Sequence, residues 1–189
     1  MAAEAHQKML APRVDGRFAR GERKRQQLLD AALRVAEREG VAALTHRAVA
    51  KEAGLPATAG TYYFPTIRDL FNAVIETGLQ QFSDEIAARL GDAPGVREFA
   101  EFAENYTREN RERLIVDYEL YLLAGRKSQL RPTAYRWITV MRPIVASWTT
   151  DQVALKATLA AIDGIFIQAV ADTPPTADAV ERVLRHTLR

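Results

Sequence analysis

Basic side chains are concentrated near the start of the chain, where they could bind an anionic polymer. Residues 1–25 hold seven Lys and Arg against three Asp and Glu. Residues 1–70 hold 12 against 8 and residues 71–189 hold 14 against 16, so the net charge of +2 is unevenly distributed. Clustered cations of this kind follow a phosphate backbone and release its counterions. We expect phosphate proximity for four of them, Arg20, Arg23, Lys24 and Arg25.

The segment before these cations has a simpler interpretation. Residues 1–16 are favoured as a solvated tail, with phosphate contact as the alternative. We therefore assign residues 1–19 to a basic, disordered N-terminal arm.

Two short helices joined by a glycine turn are predicted between residues 45 and 64. Thr45 is a suitable N-cap, whose side-chain oxygen can accept from the free N–H groups of a helix that starts at His46. Gly54 can take the left-handed conformation that ends this helix. Pro56 suits the first turn of the next helix, because its missing N–H is not needed there. The pattern predicts a helix-turn-helix, which lays its second helix in the DNA major groove.

With these residues in view, the stretch from about Arg20 to Leu70 resembles the DNA-binding domain of the TetR (tetracycline-repressor-like) family of bacterial transcriptional regulators. The resemblance rests on a set of residues and their joint spacing: Ala31-Ala32-Leu33, Gly40, Leu44-Thr45-x-Arg47-x-Val49-Ala50-x-x-Ala53-Gly54 and Tyr63-Phe64. It implies an all-α protein with a three-helix helix-turn-helix domain at 20–70 and a helical ligand-binding and dimerisation domain at 71–189. In the second domain the resemblance is limited to helical character, length and the run Ala161-Ile162-Asp163-Gly164.

The resemblance also implies which residues contact an operator in double-stranded DNA. They are Arg20, Lys24, Thr45, His46, Arg47, Ala57, Thr58, Thr61, Tyr62, Tyr63 and Arg68. Ala57 and Thr58 would face base edges from the recognition helix, and Arg47 would reach into the same groove. Arginine can donate two hydrogen bonds to guanine, and the Thr58 methyl suits a thymine methyl.

The polar and aromatic residues that follow would hold phosphates, which sets the register on DNA without reading sequence. Thr61 and Tyr62 are expected in this role, Phe64 is expected in the core of the small domain, and Tyr63 suits either place. Many family members carry a lysine where this chain has Ile67, and Arg68 would substitute for it at the N-terminus of the next helix.

Apolar periodicity predicts helices through most of the chain. The predicted segments are 21–39, Thr66 to Phe82 and beyond, a helix that begins at Val96, 113–125, Pro132–Trp148 with a kink at Pro143, Ala154–Ala171, and a helix after Pro174-Pro175.

A small-molecule effector is expected in the second domain, by resemblance, in a pocket lined by aromatic and flexible side chains. The candidates are Tyr106, Tyr118, Tyr121, Trp137, Met141, Trp148 and Phe166, although each could instead be core. Asp117 or Glu119 could face inward to meet a cation. Alternatively, an anionic effector could be met by four cations, Arg126, Lys127, Arg131 and Arg136. The sequence therefore does not decide whether the effector is a cation or an anion.

The last two helices are expected to form a homodimer. Between Ala154 and Ala171 only Lys156 and Asp163 are charged, so this helix is apolar almost all round. A membrane span is the less favoured interpretation. An apolar helix beside an amphipathic helix suits a two-fold four-helix interface. The predicted interface residues are Leu159, Ile162, Phe166, Val180, Val183 and Leu184.

Composition narrows the remaining classes. The chain contains no cysteine, so thiolate metal sites and cysteine nucleophiles are excluded. Residues 1–25 lack an apolar run typical of a signal peptide, and we expect a cytoplasmic protein without membrane contact. The three histidines are far apart and no catalytic motif is present, so a small helical enzyme is a weak alternative. A helix-turn-helix protein without a sensor is the other alternative, and no cofactor or metal is expected.

Overall fold

The computed structural model of the chain describes residues 16–91 and 93–189. These residues form α-helices joined by short connections, and no strand occurs among them. The helices are α1 Gly16–Glu39, α2 His46–Glu52, α3 Thr58–Tyr63, α4 Ile67–Leu90, α5 Val96–Glu109, α6 Arg111–Arg126, α7 Arg131–Val140, α8 Arg142–Trp148, α9 Gln152–Ala171 and α10 Ala177–Thr187. Short 3-10 helices span Val41–Ala43 and Ser128–Leu130. The all-α fold expected from the sequence is confirmed.

The first helix is longer than predicted. It starts at Gly16, so residues 16–19 of the expected arm are helical, while residues 1–15 lie outside the described part of the chain. Its apolar stripe is buried as the periodicity requires, at Leu28, Ala32, Val35 and Ala36.

Ion pairs fix α2 against α1. The Glu52 carboxylate accepts from Arg34 Nε at 3.0 Å and from Arg38 Nη2 at 3.1 Å. Under these pairs, Val49 and Ala50 of α2 are fully buried and Phe64 closes the small core. The helix-turn-helix is therefore stabilised by the buried core beneath it and by the ion pairs of Glu52 at its edge.

The fourth helix connects the two halves of the molecule. Thr66 Oγ1 accepts from the Asp69 backbone N–H at 3.1 Å, and Asp69 Oδ2 accepts from the Thr66 N–H at 3.0 Å. This capping box fixes the start of α4. Leu70 and Val74 then enter the core beneath α1, whereas Phe82 enters the second core.

The sixth helix also belongs to the core beneath the helix-turn-helix. Its Val116, Leu120 and Ala124 side chains are buried in the same cluster as Leu28 and Leu33 of α1. The second domain thus packs directly on α1, beyond the covalent connection through α4.

Proline divides the predicted helix at 132–148 into two. Helix α7 ends at Val140 and α8 begins at Arg142, with Pro143 in its first turn. Proline is tolerated in the first turn of a helix, where its missing N–H is not needed. Inside a continuous helix its ring would clash with the preceding turn. The expected kink is therefore a complete break at Met141.

The last helix packs within its own chain. The Arg97 side chain of α5 binds Asp178 and Glu181 of α10, and Glu104 accepts from the Ala177 backbone N–H at 2.6 Å. Helix α9 packs on α5, α6, α8 and α10. By length and composition alone, α9 could cross a membrane, and its opposite face is exposed.

This packing places most of the predicted dimer-interface residues inside their own chain. Four of the six expected residues are buried inside their own chain and are out of a partner's reach: Ile162, Phe166, Val180 and Leu184. Leu159 is half-buried, and only Val183 of the six is exposed. The stripe on α10 packs on α5 of the same chain, and the dimer interface stays a prediction.

Candidate functional site

The helix-turn-helix has the predicted caps and an unusually close approach of its two helices. Thr45 Oγ1 accepts from the Ala48 N–H at 3.1 Å, and Gly54 has a φ of 65°. Gly60 of α3 lies directly against the start of α2. A Cβ at this position would lie 2.7 Å from the backbone oxygen of His46. Glycine in the recognition helix is thus required by packing.

The residues predicted to contact DNA lie in one continuous part of the fold, and most are exposed. The exposed ones are Arg20, Lys24, Thr45, Arg47, Ala57, Thr58, Thr61, Tyr62 and Arg68. His46 and Tyr63 are half-buried, and no described group pairs with the buried Nε2 atom of His46. The side chains available at the tip of α3 are short, so Arg47 is the longest donor beside it.

The aromatic triplet has divided roles. The Tyr62 ring is 78% exposed, and Tyr63 packs edge-on against it with a centroid distance of 4.9 Å. Phe64 is buried, with the Arg25 guanidinium 5.4 Å from its ring centre. Only Tyr62 offers its whole side chain to a phosphate.

The start of α4 presents one cation beside the capping box. The Arg68 side chain is exposed, with its Nη2 atom 3.8 Å from Asp69 Oδ1. Hydrogen bonds from Thr66 lower the pKa of Asp69 from its ordinary value. Ile67 beside it is also exposed but carries no charge. Arg68 is therefore the only cation in the first turn of α4.

The second domain encloses a cavity of about 490 Å³, within the usual range for ligand pockets. Six of the seven expected pocket residues line it: Tyr106, Tyr118, Tyr121, Trp137, Met141 and Phe166. Trp148 does not. Its indole Nε1 donates to the Pro94 backbone oxygen at 2.7 Å, and its ring packs on Phe99.

Two carboxylates line this aromatic cavity, and one of them, Asp117, is buried. Asp117 is only 7% exposed, and its Oδ1 accepts from Arg113 Nε at 3.2 Å. No described residue donates to its Oδ2 atom. Burial raises the pKa of Asp117 to about 7, although the nearby Arg113 charge acts in the opposite direction. One oxygen of this buried carboxylate is therefore left without a donor among the described residues.

Other polar groups of the wall are differently placed. Tyr118 donates its hydroxyl to Asp163 Oδ1 and to the Asp163 backbone oxygen, each at 3.1 Å, and burial raises its pKa. The Trp137 Nε1–H is buried without an acceptor among the described residues. Two buried polar atoms of these lining residues, Asp117 Oδ2 and Trp137 Nε1, thus have no partner among the described residues.

The two carboxylates that could not be separated in the sequence have different positions. Asp117 faces the cavity, whereas Glu119 Oε2 accepts from the Val41 N–H at 2.7 Å beside α1. None of the four cations considered for an anionic effector lines the cavity, but Arg142 and Lys156 do. Sequence reasoning missed these two: Arg142 reaches the wall at the break between α7 and α8, and Lys156 reaches it from α9.

Comparison with known proteins gives the family. Residues 90–189 match the model described as tetracyclin repressor-like, C-terminal domain, and residues 28–74 match that of bacterial regulatory proteins, tetR family. No curated protein matches the chain.

Solved structures resemble the chain over most of its length. The multidrug binding protein EbrR complexed with ethidium is 33% identical with a TM-score of 0.75, over 87% of this chain and 97% of EbrR. Its complex with malachite green gives 31% identity and a TM-score of 0.71, over 87% and 98%. A TetR family member from Streptomyces coelicolor A3, SCO1917, is 33% identical with a TM-score of 0.78, over 88% and 98%. With an exposed helix-turn-helix on a helical domain that contains a cavity, and with both family models matched, the chain belongs to the TetR family of bacterial transcriptional regulators.

Proposed function

We propose that the protein is a repressor that binds a palindromic operator as a dimer and releases it when an aromatic cation fills the cavity. The observation that carries the effector class is the buried Asp117 carboxylate with a free oxygen in an aromatic wall. We assign the protein to the cytoplasm, where operator DNA is accessible, and propose no cofactor.

Operator binding is supported by the exposed recognition unit. Arg47 and Thr58 can reach base edges, while Lys24, Tyr62 and Arg68 surround them as phosphate contacts. A two-fold dimer would place its recognition helices roughly 34–36 Å apart, so half-sites are expected about ten base pairs apart or a small multiple of this. Short side chains at the tip of α3 leave more of the specificity to Arg47 and to DNA shape.

A cationic effector is supported by the aromatic surface of the cavity and by the buried Asp117 carboxylate, while the wall also holds Asp163, Arg142 and Lys156. Aromatic faces attract cations, and Asp117 supplies the opposite charge at a position removed from water. EbrR is solved with ethidium and with malachite green, and both dyes are aromatic cations. A cavity of this volume also favours a sensor over the alternative without one.

Dimerisation is supported by the exposed face of α9. The stripe Val153, Ala157, Ala160, Gly164 and Ile167 recurs every three or four residues, which keeps it on one side of the helix. Its small residues let a second helix approach closely. Val183 on α10 is also exposed. We propose that this α9 face forms the centre of the dimer.

The effector proposal is tested by operator release. Operator DNA is first obtained by selecting a duplex from a random palindromic library, and its affinity is measured by fluorescence anisotropy. Malachite green should weaken binding by about fivefold or more. Its uncharged leuco form, with the same three rings, should have much less effect, and the Asp117→Asn variant should respond weakly. Equal effects of the dye and its leuco form would contradict the cationic effector.

A further inference from the structure

One guanidinium joins the cavity to the first helix of the DNA-binding domain. Arg113 Nε donates to Asp117 Oδ1 at 3.2 Å, and Arg113 Nη1 lies 3.6 Å from Glu37 Oε1 on α1. The Arg113 side chain is only 13% exposed, so water and salt screen these interactions less than they screen surface pairs. A single charge is thus shared between the cavity wall and α1.

The fourth helix forms the floor beneath this group. A Cβ at Gly78 would lie 2.6 Å from Arg113 Nη2, so the guanidinium occupies the space that glycine leaves. Arg113 therefore touches α1 and α4 from its place on α6. A small movement of its side chain is felt by both helices that lead to the DNA-binding unit.

A second polar contact meets the same end of α1. Glu119, on α6 like Arg113, caps the Val41 N–H at 2.7 Å, four residues beyond Glu37. The segment after Val41 leads directly to Thr45 and α2. Changes in α6 next to the cavity can therefore reach the helix-turn-helix without passing through the whole length of α4.

The two carboxylates compete unequally for Arg113. Asp117 is hydrogen-bonded to it, whereas Glu37 lies slightly beyond hydrogen-bond distance. A cation bound in the cavity beside the Asp117 carboxylate would neutralise part of the charge that holds Arg113. We propose that Arg113 is the coupling residue, which shifts from Asp117 towards Glu37 when an effector cation binds and so lowers operator affinity. This inference rests on the proposed function.

A double-mutant cycle tests this coupling without any effector. Asp117→Asn imitates the neutralised carboxylate, and should weaken binding of the selected duplex by about fivefold or more. Glu37→Gln alone should change affinity less than about twofold, and combined with Asp117→Asn it should restore near wild-type affinity. Glu109→Gln, which breaks the 3.0 Å surface pair with Arg89, is the matched control and should restore nothing. Additive effects of Asp117→Asn and Glu37→Gln would overturn the proposal.

Two further measurements separate this inference from the effector proposal. Gly78→Ala leaves every charge in place, and alanine is a good helix former, so this variant should mainly displace the guanidinium. It should reduce the dye's effect on DNA binding without abolishing dye binding. Glu37→Gln should also bind malachite green like wild type but transmit less of its effect. If wild type bound no dye, the effector class would be wrong, while the cycle on DNA would still decide whether Arg113 couples the two sites.

Discussion

Arg47 carries most of the expected base recognition at the scale of single residues. It is exposed at the start of α2, whereas α3 offers only Ala57 and Thr58 at its tip. An arginine can form two hydrogen bonds to one guanine, which a threonine cannot. Lys24 is equally exposed on α1 but lies among other cations, a position suited to phosphates.

Arg47→Ala should cost on the order of 1–3 kcal/mol on the best operator and relax the preference at one base pair in each half-site. Lys24→Ala should instead weaken all sequences alike and reduce the salt slope by about 1. Anisotropy titrations on specific and random duplexes at several salt concentrations distinguish the two. Equal losses on both duplexes for the two variants would refute the role given to Arg47.

Asp117 should make dye affinity depend on pH. Its pKa is raised to about 7 by burial, so the proton is bound below that pH and must leave when a cation pairs with the carboxylate. The affinity for ethidium, whose quaternary nitrogen stays charged, should therefore rise between about pH 6 and 8 and level off above. In Asp117→Asn this rise should disappear, and an unchanged pH profile in that variant would show that another group is responsible.

The same raised pKa has the opposite sign for stability. A carboxyl group that binds its proton more tightly in the folded state than in the unfolded state favours folding at low pH. Its contribution to the free energy of unfolding should fall as pH rises from about 4 to about 7. The dye should thus bind most tightly in the pH range in which Asp117 contributes least to the stability of the free protein.

At the scale of elements, the closest helix contact is that between α2 and α3 at Gly60. Gly60→Ala would place a methyl group 2.7 Å from the His46 backbone oxygen, where backbone cannot yield cheaply. Operator affinity should fall strongly, while malachite green binding should remain. Gly125→Ala in α6, with open space around it, is the control and should leave both unchanged. Normal DNA binding by Gly60→Ala would show that the two helices tolerate a wider separation.

A charge placed on the exposed face of α9 should dissociate the proposed dimer. Ile167 is 41% exposed, and Ile167→Lys should place a charge in the proposed interface and shift the dimer to monomer. Leu122→Lys on α6, a more exposed position away from this stripe, is the control. Sedimentation velocity measures both. If Ile167→Lys remained as dimeric as wild type, the α9 face would not be the centre of the interface.

Features determined by nearby residues were predictable from the sequence. Thr45 and Thr66 cap their helices as expected, because a cap requires only a side-chain oxygen and a backbone N–H three residues away. The start of α1 was placed too late, because Gly16 and the cations after it carry no apolar period.

Features determined by distant residues were not predictable. The stripe of Val180 and Leu184 shows that α10 is buried, but not whether α5 or a second chain buries it. The inward position of Asp117 and the outward position of Glu119 depend on where α6 crosses α1. Six of the seven selected aromatic and flexible residues line the cavity, whereas Trp148 is held by the Pro94 backbone oxygen, a distant partner that the sequence does not indicate.

For the whole molecule, the decisive quantity is the coupling between the cavity and the recognition helices. A hundredfold release of DNA requires the effector to prefer the non-binding form by only about 2.7 kcal/mol. This is within the range of ordinary allosteric coupling, and the α4 and α6 contacts described above supply two routes for it. Linkage requires that operator DNA weakens effector binding by the same factor.

The most direct test of the account is the dissociation constant of malachite green, measured on the free protein and on the preformed operator complex. Quenching of tryptophan fluorescence, to which Trp137 in the cavity wall contributes together with Trp148, reports occupancy. A titration of operator alone corrects for dye bound to DNA. Dye binding to the complex should be weaker, by the same factor by which the dye weakens operator binding. Equal dissociation constants on the free and the DNA-bound protein would contradict it.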